Sequence, residues 1–344
     1  MEKYNFLPGP SQLHKNFSLW VQKALDANFL STYHRTQKFS EIYQSIYEQF
    51  QLKLKLPKHF ELYFVPSASE AWILTAKSLI FTKAIFYFNG NFGKKWFEYI
   101  QNDYSFALSV EFGLNDLPII HERSEAFIGI VHTETSNGSQ LPNEFLKELR
   151  EKNPNSCIVV DATASMGGVQ LPWDLADVWF ASVQKCFGLP PGMAVLVANP
   201  MAIQRANKNE WNHYNGIINL SKNFKKWQTP NTPNLLNIWC LNEYLKECPE
   251  ISIIEKVLLT RKNLFFQQHP NLKLLSSNYT AVTVWAFENA HPENIIQKAA
   301  QHQINLGNGY GNWKNNSFRI ANFPALPNDA WLKLTQFFKN YENL

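Results

Sequence analysis

Two residues of this sequence have the types and the spacing to act on one group. Asp161 closes the short apolar run Cys157-Ile158-Val159-Val160, and Lys185 follows 24 positions later, just past a second apolar run, Val178-Trp179-Phe180-Ala181-Ser182. Such runs read as buried strands. Open α/β sheets carry ligand chemistry at the carboxyl ends of their strands, so two neighbouring strands would bring Asp161 and Lys185 to one rim. A lysine amine and a carboxylate in that relation suit pyridoxal phosphate (PLP), the amine forming a Schiff base and the carboxylate facing the pyridine nitrogen. Most Asp and Lys side chains are simply solvated at turns. The polar loops around these two set the pair apart.

One such loop follows the predicted strand Glu61-Leu62-Tyr63-Phe64-Val65. It reads Pro66-Ser67-Ala68-Ser69-Glu70-Ala71-Trp72 and leads into a helix. Small residues there let backbone N–H groups close on an anion, helped by the helix dipole, although Ser-rich helix caps are common. The run Ala84-Ile85-Phe86-Tyr87-Phe88 ends in Asn89-Gly90-Asn91-Phe92-Gly93, which predicts Phe92 on a turn, open to stacking by a flat ring. The run over 126–131 ends in His132-Thr133-Glu134-Thr135-Ser136-Asn137-Gly138. His34 and Arg35 stand in a loop before a predicted helix, either as part of a capping segment or as donors for an anion, since the Arg fork suits phosphate or carboxylate. Arg319 lies in the apolar run Ser317-Phe318-Arg319-Ile320-Ala321, where structural ion pairing and carboxylate binding are equal readings.

These residues need a frame. Strand, loop and helix alternate over residues 60–200 and predict a mostly parallel α/β sheet. The prolines of Asn5-Phe6-Leu7-Pro8-Gly9-Pro10 predict an extended arm, and residues 16–28 a helix. Residues 201–234 are polar, contain Thr229-Pro230-Asn231-Thr232-Pro233-Asn234, and predict irregular chain. After a helix over 235–248 the pattern changes. A helix near 254–268, an alternating run over 280–286, a helix near 293–303, the strand 317–321 and a closing helix over 329–341 predict a small α+β lobe. The chain thus divides into an arm, 1–15, packing with the small domain; a large α/β domain, 16–245; and the small C-terminal domain, 246–344.

The bulk properties agree with a folded catalytic chain. Its 344 residues are 45% hydrophobic and only 17% charged, enough for a sizeable core in more than one lobe. The net charge of +4 is spread out, and the one dense cluster, Lys222 to Lys226, is short and interrupted, which reads as a solvated face and not a nucleic-acid patch. The four cysteines show no CxxC spacing and suit a reduced compartment. No apolar run approaches ~18 residues and no signal peptide is evident, so the expectation is a cytoplasmic protein without a membrane span.

Taken in order, eight segments resemble the class V aminotransferases of PLP fold type I, and most closely their phosphoserine aminotransferase branch. Residues 5–10 resemble NFxPGP, 31–39 (STYHRTQKF) resemble SHRSxEF, and 67–71 (SASEA) stand where the class has an SGTxA-type phosphate loop. Residues 89–96 (NGNFGKKW) resemble NGxFGxRW, and 132–138 (HTETSNG) resemble HxETSTG. Residues 160–165 with 182–185 resemble VDATSS and xxQK, 229–234 resemble a TPxTPN loop, and 317–324 (SFRIANFP) match the final arginine motif. The resemblance implies a large domain with a mostly parallel seven-stranded-type sheet, a small α+β domain, and a homodimer with the site at its interface. It implies that Lys185 holds PLP and shuttles the proton, and that Asp161 keeps the pyridine nitrogen protonated. Phe92 would stack on the ring, with Thr135 near the ring hydroxyl. Ala68, Ser69, Ser182 and Gln184 would hold the phosphate or its surroundings, and Thr229 would reach the phosphate of the partner subunit. Arg319 would clamp the substrate α-carboxylate, and His34 and Arg35 would receive the distal anion.

The chain departs from the branch at Gln228-Thr229-Pro230-Asn231-Thr232, where Asn-Thr-Pro-Pro-Thr is usual, in the SASEA loop, and at Cys186, where Asn is usual. The expected reaction is therefore transamination between glutamate and 3-phosphohydroxypyruvate. The alternatives are another small keto acid such as glyoxylate or pyruvate, a desulfurase or lyase of the same class, and a PLP-binding or sugar-binding regulator without turnover. A desulfurase needs a mobile nucleophilic Cys, and no Cys follows Cys248.

Overall fold

A computed structural model describes residues 4–209 and 211–342. The chain lays down an arm strand β1 (Tyr4–Phe6), then β2 (Glu61–Val65), β3 (Ala84–Phe88), β4 (Leu108–Glu111) and β5 (Phe127–Val131). The short hairpin β6 (Thr133–Glu134) and β7 (Ser139–Gln140) precedes β8 (Cys157–Asp161), β9 (Val178–Ser182) and β10 (Ala194–Ala198). The last strands are β11 (Val284–Glu288), β12 (Ile304–Asn308) and β13 (Ser317–Ala321).

Seven strands form one sheet in the order β2-β10-β9-β8-β5-β3-β4. All run parallel except β10, which is antiparallel to both β2 and β9. Strands β3, β8, β9 and β10 are buried along their whole length, as their unbroken apolar sequences require of a sheet covered on both faces. The fold is thus the expected mixed α/β architecture with a large, mostly parallel sheet.

A second sheet has the order β1-β12-β13-β11. The arm strand β1 pairs in parallel with β12, Phe6 against Leu306, and so joins strands almost 300 residues away. A separate core gathers around this sheet, with Phe6 packed among Phe265, Trp285, Phe318, Trp331 and Phe338. Among the described residues no helix is long and apolar enough to cross a membrane.

Three local expectations are corrected. Residues 201–234 are not irregular throughout: Pro200–Asn209 and Ile217–Phe224 are helices. Ala202 with Ala206, and Ile217 with Leu220 and Phe224, recur at helical spacing and are buried, while the prolines begin only at Pro230. The alternating run over 280–286 becomes strand only at Val284, because Thr280 bridges to Ser139 and Ala281 N–H donates to Gly138 O, tying this half to the β6–β7 hairpin. Phe92 lies not on a turn but in the first turn of the helix Asn91–Asp103.

Candidate active site

The carboxyl rim of the large sheet is where the chain concentrates polar side chains. Strands β8 and β9 are parallel neighbours with Asp161 in register with Phe180, so Asp161 and the loop after β9 reach the same edge. A cavity of about 240 Å³ opens there, closed on one side by the arm and on another by the small sheet. Ala68, Ser69, Phe92, Thr135, Asp161, Ser182, Gln184, Lys185 and Arg319, all singled out from the sequence, line it.

Asp161 is buried and held at both oxygens. Thr163 N–H donates to Oδ1 and Trp72 Nε1–H to Oδ2, each at 2.8 Å. Burial raises its pKa, against the two hydrogen bonds and the Lys185 charge. Lys185 is buried in the same cavity, and burial lowers its pKa to about 8, outweighing the attraction of Asp161 and Glu134. Its Nζ donates to Thr135 Oγ1 at 3.3 Å and lies 5.3 Å from the centre of the Phe92 ring. An amine in this state is much more often neutral near pH 7 than an exposed lysine, as a nucleophile must be.

Arg319 enters from β13. Its Nε donates to Asn308 O at 2.7 Å and Nη1 to Thr135 O at 2.9 Å, which anchors one edge of the guanidinium and leaves Nη2 without an acceptor among the described residues. Its Cζ is 5.4 Å from the Tyr310 ring centre. Ala68 N–H donates to Ser182 Oγ at 3.1 Å, tying the start of the helix Ala68–Leu79 to the end of β9.

Thr229, His34 and Arg35 are not brought to this cavity. Thr229 is buried and donates to Asn231 O at 2.8 Å. Thr232 Oγ1 lies 3.5 Å from His34 Nδ1, so the three residues cluster about one loop elsewhere on the chain.

Several site residues carried no role in the sequence reading. Trp72 holds Asp161 from the second turn of its helix. Glu134, within a quoted motif, is buried and accepts from Phe92 N–H and Gly93 N–H at 3.1 Å, from Ser136 N–H at 3.0 Å and from Ser136 Oγ–H at 2.6 Å. It caps the helix Asn91–Asp103 from another strand, because Gly90 at the N-cap has no side chain to do so. Tyr310 stacks on Phe92, ring centres 5.0 Å apart and planes 5° from parallel, and its hydroxyl is 2.6 Å from Lys95 Nζ. The arm covers the lysine: Ser11 Oγ–H donates to Lys185 O at 3.0 Å, and Pro8, Gly9 and Pro10 face the cavity.

A phosphoserine aminotransferase of Cytophaga hutchinsonii, seen in a crystal structure, superposes with a TM-score of 0.93 at 28% identity, over 98% of both chains. The fold of this chain is that of the PLP-dependent class V aminotransferases, and several of its relatives by sequence are named aminotransferases. The chain is also 26% identical, over 243 residues, to the phosphoserine aminotransferase of Rhodococcus jostii, a match that takes in 68% of this chain and 64% of that protein. It shares the fold of an alanine–glyoxylate aminotransferase from Nostoc, at 15% identity and a TM-score of 0.80 over 99% and 95% of the two chains. No family model matches. The expected cofactor is PLP, and the cavity has the donors and acceptors for one. Gln184 Oε1 and Thr163 Oγ1 are buried, face the cavity and lack partners among the described residues. Lys185 would hold the cofactor, Asp161 its pyridine nitrogen, and Ser69 with the helix start its phosphate.

Proposed function

We propose that this aminotransferase moves the amino group of glutamate to 3-phosphohydroxypyruvate, giving phosphoserine and 2-oxoglutarate. The observation that carries the reading is the convergence of Lys185, Asp161 and Arg319 on one cavity, with a free edge of the Arg319 guanidinium facing it. The phosphoserine aminotransferase relatives support the substrate. PLP, when bound, supplies an aldehyde for the amino group and a ring that takes up the electron pair left as Cα–H breaks.

The chain's own residues do the rest. Lys185 Nζ, whose pKa burial lowers to about 8, takes the proton from Cα and returns it at the neighbouring atom. Asp161, ionised between Trp72 Nε1–H and Thr163 N–H, keeps the proton on the pyridine nitrogen. Arg319 Nη2 receives the α-carboxylate and so fixes Cα in front of Lys185. The arm and Tyr310 exclude water from the lysine.

His34 and Arg35, clustered with the Thr229 loop, serve the distal anion in the cavity of a partner subunit of a homodimer. That placement rests on their contact with Thr232, in the loop that the family resemblance sends across the interface. The sulfur-transfer alternative is disfavoured, since all four cysteines are buried, and burial pushes the Cys240 and Cys248 thiols up to about 12 and about 11.

The test is a half-reaction screen of the purified holoenzyme with phosphoserine, glutamate and alanine. A charge-assisted hydrogen bond contributes ~1.5–3 kcal/mol, so Arg319→Ala should lower kcat/KM for all three about 10- to 100-fold. Arg35→Ala should do so for phosphoserine and glutamate and spare alanine, which has no distal anion. Equal losses for alanine would move the acceptor to glyoxylate or pyruvate.

A further inference from the structure

A second cavity, of about 380 Å³, lies away from the lysine. It opens where the helix Leu235–Glu247 hands over to the helix Ile251–Gln268, beside the segment that follows the arm. Its apolar lining comes from Ile253, Ile254, Val257, Leu258 and Pro324, with Ile253 and Val257 exposed at its mouth. Two polar groups on its wall are unusual. Arg261 is largely buried, yet no ion pair links it to a carboxylate among the described residues. Its Nη2 donates to Leu326 O and Asn328 Oδ1, both at 3.0 Å, while Nη1 is buried and has no acceptor. Tyr244, 3% exposed, has a hydroxyl without a partner. The one carboxylate on the wall, Glu247, is already engaged by Asn16 Nδ2–H at 2.7 Å and Trp20 Nε1–H at 3.1 Å.

A buried guanidinium without a counter-charge is costly, and the cost is removed when an anion desolvates beside it. Burial alone lowers the Arg261 pKa to about 10, with no neighbouring carboxylate opposing it. We propose that this hinge cavity is a binding site for a small monocarboxylate with a compact apolar body. The carboxylate accepts from Arg261 Nη1 and the Tyr244 hydroxyl, and the body lies against Ile253, Val257 and Pro324.

The site is wired to the catalytic loop by direct contacts. His14, on its wall, donates its N–H to Gly188 O at 2.9 Å. The Tyr244 ring meets Phe187 edge-on, centres 5.9 Å apart. An occupant therefore braces the segment Lys185 to Gly188 from behind and stabilises the arm against it.

The test titrates PLP-loaded Arg319→Ala protein, so that the active-site clamp is not counted, by calorimetry with hexanoate and benzoate and with hexanol and benzyl alcohol. One site per chain should bind the acids about 10- to 100-fold more tightly than the matched alcohols, and the acids should raise the thermal midpoint. Arg261→Met should weaken acid binding by the same factor. Val257→Trp, which puts bulk into the cavity one turn from Arg261 and keeps the guanidinium, should abolish binding while leaving the turnover of otherwise wild-type enzyme unchanged. It keeps the test open if Arg261→Met does not fold. No saturable binding, equal affinity for acid and alcohol, or undiminished binding by Val257→Trp would each overturn the site.

Discussion

Burial of Lys185 makes a thermodynamic demand that can be measured without substrate. The fall from the ordinary 10.5 to about 8 is about 2.5 decades of proton affinity. At ~1.4 kcal/mol per decade this amounts to about 3 kcal/mol. The sign follows from proton counting. Between pH 8 and pH 10.5 the unfolded lysine is protonated and the folded one is not, so unfolding takes up a proton and stability rises with pH. The contribution is complete above 10.5 and is lost as pH falls through about 8. Lys185→Met removes this term. Lys262, whose pKa burial also lowers to about 8, titrates in both proteins and cancels. The assay is urea unfolding of the PLP-free wild type and Lys185→Met at half-unit steps over this window, comparing the pH slopes of the two stabilities. The wild type should gain about 3 kcal/mol relative to the variant across the window. A flat difference, or one of opposite sign, would refute the claim that desolvation of Nζ dominates its environment.

Asp161→Asn keeps the shape but sets an amide N–H₂ against either Trp72 Nε1–H or Thr163 N–H; single-turnover stopped-flow should show a rate about 10- to 100-fold lower with PLP still bound. In Glu134→Gln one end of the side chain faces two donors with a donor of its own, so urea unfolding should report a loss of ~1–3 kcal/mol. The same variant takes a carboxylate from beside Lys185, and the pH midpoint of the cofactor absorbance should move down. Gly9 has φ +140°, and a Cβ there would stand 3.2 Å from Lys185 Cε; Gly9→Ala should slow cofactor loading, followed by absorbance, with little change in the far-UV spectrum.

The pair at the centre of the site was legible because its signal is local. Asp161 ends, and Lys185 closely follows, a run whose apolar character requires a covered parallel strand, and strand ends share a rim by topology alone. The same reasoning found the loops bearing Ala68, Ser69, Thr135 and Ser182. It failed where the fold borrows a partner from far along the chain. Trp72 reads as one more apolar residue on a helix, and only the packing of that helix across β8 aims its N–H at Asp161. Tyr310 carries no periodicity to mark it, yet it stacks on Phe92 from the connection between β12 and β13. Phe92 itself was taken from a turn into a helix because Glu134, on a different strand, supplies the cap that Gly90 lacks. The missed helices, Pro200–Asn209 and Ile217–Phe224, are short, and their few apolar residues are diluted by Asn and Lys that propensity disfavours or leaves neutral.

The pairing of β1 with β12 also sets an order of events during synthesis. Residues 4–6 have no strand to join until residues 304–308 have left the ribosome, about 300 residues later. The lysine loop is made well before that, with Arg319, Tyr310 and the settled arm all still missing from its cavity. At the usual rate of ~5–20 residues per second the nascent chain spends about 15–60 s with Phe6 unburied, and Lys185 stays open to water for somewhat under half of that. Cofactor capture by the closed cavity thus waits until residues 304–321 have emerged, when a segment made about 300 residues earlier can at last be placed.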